Sequence, residues 1–250
     1  MRELNSQISR SSVLFHVSVS LFGLILAVLF AINPQVSQEP FFWRKPLVGS
    51  AFAAVCILGI LAVLFPKTCS KPFAAGTKRK RLGPQVSHAT SSGLRGHHPQ
   101  CVRFSGHVFA VGERVFCATC SGLFLGALLA LVGDGAYFFV NWRFGQNAVL
   151  VVAVGAVGVA VGLLQSSLPI IQKGVMRLFT GAFFVAGAFL ILLGIEELAR
   201  SVSLDLFIVA LSILWLATKI SLSQWDHERI CSRCTSGSFD CKVGLLRKEV

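Results

Sequence analysis

Two Cys-x-x-Cys pairs, Cys117–Cys120 and Cys231–Cys234, are the residues of this chain best spaced to do chemistry. Such a turn lets two sulfurs reach one ion from a tight knuckle whose amides favour thiolates. Two knuckles brought together make a tetrahedral site with Zn–S distances of about 2.3 Å. Each pair has further ligand types around it. His97, His98, Cys101 and His107 precede the first, while His227 and Cys241 flank the second. The group His227, Cys231, Cys234 and Cys241 offers four ligands within 15 residues. His97 or His98 with Cys101, Cys117 and Cys120 offers four more. Spacing leaves open one shared site, two local sites or a binuclear one.

Zinc suits mixed sulfur and nitrogen ligands and needs no assembly machinery; iron or an iron–sulfur cluster takes the same donors. Thiol–disulfide exchange at Cys117 and Cys120 is the competing chemistry, because a helix start favours a thiolate. Cys56 lies in an apolar stretch and reads as a packing residue. Cys69 reads as spare, His16 as a packed neutral histidine and His88 as a loop residue. Arg103 and Arg114 are candidates to donate hydrogen bonds to ligand thiolates.

The elements that must position these residues are apolar helices. The chain has 250 residues, 54% hydrophobic and 14% charged, with a mean hydropathy of +0.72. Soluble domains carry nearer a quarter charged residues. Spanning a hydrocarbon core takes roughly 20 apolar residues in a helix. Six stretches qualify: 12–32, 46–65, 120–140, 146–165, 175–195 and 204–220. The sequence thus predicts an all-α membrane protein: six transmembrane helices with a Cys/His-rich cytoplasmic cap. Two helices occupy 1–65, a basic then His/Cys-rich loop 66–116, four helices 117–220, and a Cys-rich tail 221–250. The first stretch is too long for a cleaved signal and lacks a small-x-small site before Asn33-Pro34. Gly122-x3-Gly126 and Gly158-x3-Gly162 fit close helix packing.

Charge placement orients the bundle. Of 23 Lys and Arg, all but Arg44, Lys45, Arg143 and Arg200 fall on the side holding both termini and the long loop. The excess of Lys and Arg in cytoplasmic loops then puts both termini in the cytoplasm, in a multi-pass protein of the cell membrane. The net charge of +12 is thereby explained without nucleic acid, which is disfavoured as a partner. Lys78-Arg79-Lys80-Arg81 reads as a solvated run near anionic headgroups. The lipid bilayer is the expected partner, and a protein partner or homo-oligomer stays open. In that reducing compartment clustered thiols bind metal or do redox chemistry more often than they form structural disulfides.

One stretch carries a family resemblance. His97-His98-Pro99-Gln100-Cys101-Val102-Arg103-Phe104, then His107, then Cys117-Ala118-Thr119-Cys120-Ser121-Gly122 and Gly126 resemble the domain-of-unknown-function 2085 family of small prokaryotic integral membrane proteins. In that family a Cys/His stretch with an Arg-x-Phe element precedes Cys-Ala-Arg-Cys-x-Gly-x3-Gly at a helix start. Thr119 stands where the family has Arg. The resemblance implies a membrane location and no particular activity.

Three functions are compatible with these residues: a structural or sensory metal site, a membrane thiol or metal-dependent oxidoreductase, and a metal-ion transporter. The sequence has no Gly-x-Gly-x-x-Gly loop, no Walker sequence and no His-Glu-x-x-His helix. Nor does it have the His-x-Glu arrangement of nucleobase deaminases. Glu113, Asp226, Glu228 and Asp240 are the acids near the cluster. Transport is disfavoured because Asp134, Glu196, Glu197 and Asp205 are expected near outer helix ends, with His16 alone toward an interior.

Overall fold

The structure, a computed structural model, describes residues 2–34, 43–64, 106–111, 114–140, 147–165 and 174–232. Six helices carry the chain: α1 (Arg2–Ile32), α2 (Arg44–Leu64), α3 (Ala118–Asp134), α4 (Ala148–Leu164), α5 (Gly174–Ala199) and α6 (Val202–Ser232). Five of them, α3 taken together with the π-helical turn that carries it on to Phe139, provide apolar segments of 21 to 26 residues, long and apolar enough to cross a membrane. This is the architecture of a multi-pass membrane protein. α4, at 17 residues, is shorter than those five.

Each helix coincides with one of the apolar stretches, because a long and predominantly apolar run has no cheaper way to satisfy its backbone in lipid. The boundaries differ where polar residues extend a helix. α6 continues to Ser232, so the expected tail begins as helix and not at 221. α3 starts at Ala118, which moves Cys120 into the first turn and makes Cys117 the N-cap. A π-helical turn, Gly135–Phe139, prolongs α3 and seats Tyr137 and Phe138 in the core.

α5 is the most enclosed helix, held between α3 and α4, while α1 and α2 are more peripheral. Glycines make that embrace possible. A Cβ at Gly126 would sit 2.6 Å from the Ala182 carbonyl oxygen, and one at Gly158 would sit 2.7 Å from that of Phe183. A Cβ at either Gly155 or Gly187 would sit 2.6 Å from the carbonyl oxygen of the other. With lipid tails as apolar as leucine, such close backbone approach is what drives association. Ser20 and Thr218 bond across α1 and α6 at 2.8 Å, and Trp215 Nε1 donates to the Ser20 carbonyl at 3.0 Å.

The segment before α3 is not all loop. β1 (Val108–Val111) pairs antiparallel with β2 (Arg114–Cys117), Phe109 opposite Phe116 and Val108 opposite Cys117. The two phenylalanine rings stack with centroids 5.7 Å apart. The Val108 backbone presses on Gly174, where a side chain would collide, so the hairpin lies over the first turn of α5.

Candidate functional site

The hairpin delivers Cys117 to the mouth of α3, and the helix supplies Cys120 one turn in. Both thiols are free and half-buried. Cys117, with extended backbone at the N-cap, makes no close capping hydrogen bond through its side chain. Its sulfur is nonetheless surrounded by groups that favour negative charge. The Cys120 thiol donates toward it, the Cys120 and Thr119 amides act on it as inward-facing dipoles, and Arg177 adds a positive charge. Burial opposes them and loses, so the Cys117 thiol is held well below its ordinary pKa.

Arg177 ties three elements together. Its Nη1 donates to His107 Nδ1 at 2.9 Å and to Asp226 Oδ2 at 3.3 Å. Arginine has no acceptor, so His107 must present a bare Nδ1 and carry its proton on Nε2. That nitrogen faces Asp226 Oδ2 at 3.6 Å. The hairpin, α5 and α6 are thus joined at one point beside the cysteines. Next to it, Lys219 donates to the Gly162 carbonyl and to Gln165 Oε1.

Of the expected ligands, Cys117 and Cys120 come together. His107 lies at the same end, with both ring nitrogens turned to Arg177 and Asp226. His227 and Cys231 lie in the last turns of α6, their side chains outside the description. His97, His98, Cys101, Cys234 and Cys241 lie outside the described residues, as do Cys69, His88 and the basic run. Among the described residues, no group of three or more His, Cys, Asp or Glu is placed to hold a metal ion. The cation acting on the thiols is Arg177, which the sequence reading used for orientation alone. Arg103 lies outside the described residues, and of Arg114 the backbone alone is described. The signal for Arg177 was a cation one turn inside an apolar helix, which is costly without a partner. His16, partly exposed, donates from Nδ1 to the Ser12 carbonyl at 2.6 Å, and Cys56 is buried in α2 as a packing residue.

A second polar network closes the opposite end of the bundle. Arg44 pairs with Glu196, and the Tyr137 hydroxyl lies between the carboxylates of Glu196 and Glu197, 2.7 Å from Glu197 Oε1. Lys45 stands over the Tyr137 ring, 4.5 Å from its centroid. Asp134 and Glu196 are each 1% exposed and Asp205 is fully buried. These acids sit near helix ends as expected, yet they are enclosed by neighbouring helices and not solvated. His16 is therefore not the sole ionisable group inside the bundle, and the sequence argument against transport loses that support.

No family model, no curated protein and no solved structure matches this chain.

Proposed function

We propose that this is a six-span protein of the cell membrane, both termini cytoplasmic, whose hairpin end forms a cytoplasmic dithiolate site for a thiophilic metal ion. Zinc is the ion the donors suit best, with iron or an iron–sulfur cluster as the alternative. The observation that carries the reading is the Cys117–Cys120 pair at the α3 mouth, with Cys117 poised as thiolate. A metal ligand must be deprotonated, and this sulfur is prepared for that before any ion arrives. Cys117 and Cys120 would supply two ligands. Cys231, Cys234, Cys241, Cys101, His97, His98 and His227 are the candidates for the rest, and His107 would join by leaving Arg177. When bound, the ion would staple hairpin, tail and bundle together, in a structural or sensory role.

The asymmetric placement of Lys and Arg supports the orientation. α4 supports a sixth span if flanking residues lengthen it, since 17 helical residues rise about 26 Å. The resemblance of the 97–126 stretch to the domain-of-unknown-function 2085 family supports the membrane location.

The test is metal analysis of detergent-purified protein beside a variant in which Cys117, Cys120, Cys231 and Cys234 are all Ser. Metal in the natural chain and none in the variant is the expected result. No metal in either overturns the reading.

One observation favours a second reading, membrane thiol–disulfide exchange: a thiolate at Cys117 with a thiol donor at Cys120 is the layout of an attacking and a resolving cysteine. Cys117 would attack an incoming disulfide and release one thiol. Cys120 would then close the Cys117–Cys120 disulfide and release the second, passing two electrons to the substrate. Metal-free protein that reversibly loses two thiols on oxidation would establish this reading instead.

A further inference from the structure

The hairpin end also contains a cleft whose donors outnumber its acceptors. Thr119, Gln165, Arg177, Lys219, Ser223 and Asp226 line it, with Leu163 and Leu222 beside them. Arg177 is 8% exposed and Lys219 4%, and both line the same cleft. Among the described residues, Asp226 is the one carboxylate lining the cleft. His107, bare at Nδ1, brings no negative charge. Two enclosed basic side chains therefore share a single described anion, an arrangement in which an added negative charge would favour the charged form of both.

The hydrogen-bond count points the same way. Lys219 spends two of its three protons on the Gly162 carbonyl and Gln165 Oε1. The bond to Oε1 fixes the Gln165 amide with its NH2 as the unspent end. Among the described residues, Gln165 Nε2 and Arg177 Nε, both buried, have no hydrogen-bond partner, and both are donors. Gln165 is 3% exposed, so bulk water does not serve it. Hydroxyls of Thr119 and Ser223 complete a lining that offers protons and positive charge. The complement is a compact group with several acceptor oxygens and negative charge.

We propose that this cleft binds a phosphate-type oxyanion, either free inorganic phosphate or the headgroup of an anionic lipid reaching in from the membrane face. The group supplies the missing charge and accepts from Lys219, Arg177 and the Gln165 amide after small side-chain rotations. The site stands on residues other than the cysteines, so it holds whether or not the thiols bind metal.

The experiment is thermal unfolding of the full-length, delipidated protein in an uncharged detergent, with inorganic phosphate titrated against chloride at matched ionic strength. A parallel arm uses phosphatidylcholine nanodiscs with and without phosphatidic acid. Saturable stabilisation by free phosphate identifies a soluble ligand; stabilisation by phosphatidic acid alone identifies a lipid headgroup. Gln165→Glu places a carboxylate where the anion would sit and should remove the response without lowering the Tm of the unliganded protein. Arg177→Lys keeps the charge but loses the planar fork, and should weaken phosphate-type binding by about tenfold or more. No stabilisation by either probe, or a response undiminished in both variants, overturns the proposal.

Discussion

The two ends of the helix bundle bury similar groups in different ways. At one end Arg44, Glu196, Tyr137 and Glu197 bond to one another, while a buried carboxyl oxygen of Asp134 beside them has no hydrogen-bond partner among the described residues. At the other, Arg177 and Gln165 keep donors unspent among the described residues, and Cys117 is pushed toward thiolate. The first network matches donors to acceptors and holds helices in place. The second leaves donors over, which costs stability and gives a ligand with acceptor oxygens something to satisfy. The contrast is one of sign, an acceptor left over at one end and donors at the other.

Substitutions should split along that line. The largest stability loss is expected at the first end, where Glu196→Ala strands the buried Arg44 and should cost about 3–5 kcal/mol. Unfolding in detergent reads this directly, and a loss no larger than at the hairpin end would erase the contrast. Next comes the glycine seam. Gly158→Ala sets a methyl against the Phe183 backbone and should cost about 1–3 kcal/mol in the same assay. The smallest stability effect is expected for Cys117→Ser in metal-free protein at a pH below the depressed thiol pKa, within about 0.5 kcal/mol, because the half-buried thiol leaves little cavity. Its chemical effect should be large, abolishing the fastest-alkylating thiol.

Acidity sharpens the comparison further. The alkylation rate of Cys117 should follow a midpoint at least about one unit below the ~8.5 of an ordinary thiol. Arg177→Lys should move that midpoint up, since it repositions the charge that favours thiolate. The sign for stability follows from the lowered value. The increment is fully present above the ordinary thiol pKa and is lost as pH falls through the depressed one. An unshifted alkylation profile would remove the reason for singling out this cysteine.

Much of the fold was legible because length and hydropathy alone specify a membrane helix, and all six apolar stretches became helices. The hairpin was missed although Val108-Phe109-Ala110-Val111 and Arg114-Val115-Phe116-Cys117 are β-branched and aromatic runs separated by Gly112-Glu113. Two four-residue runs inside a long polar segment give a weak period, and the Cys and His content drew the reading toward ligands. At the site, Cys117 and Cys120 were legible because spacing along one turn sets whether two sulfurs can meet. Arg177, Lys219 and Gln165 were not. Their roles depend on which helix faces which, and hydrophobic runs without strong polar faces do not encode that. Gly122 and Gly158 did encode it in part, as close-packing positions.

The central claim, a dithiolate metal site at the hairpin end, is tested most directly by X-ray absorption at the metal edge of protein purified from membranes. The account predicts at least two sulfur neighbours at about 2.3 Å, reduced in number when Cys117 and Cys120 are both Ser. A first shell of nitrogen and oxygen alone, at about 2.0–2.1 Å and unchanged in the variant, would contradict it.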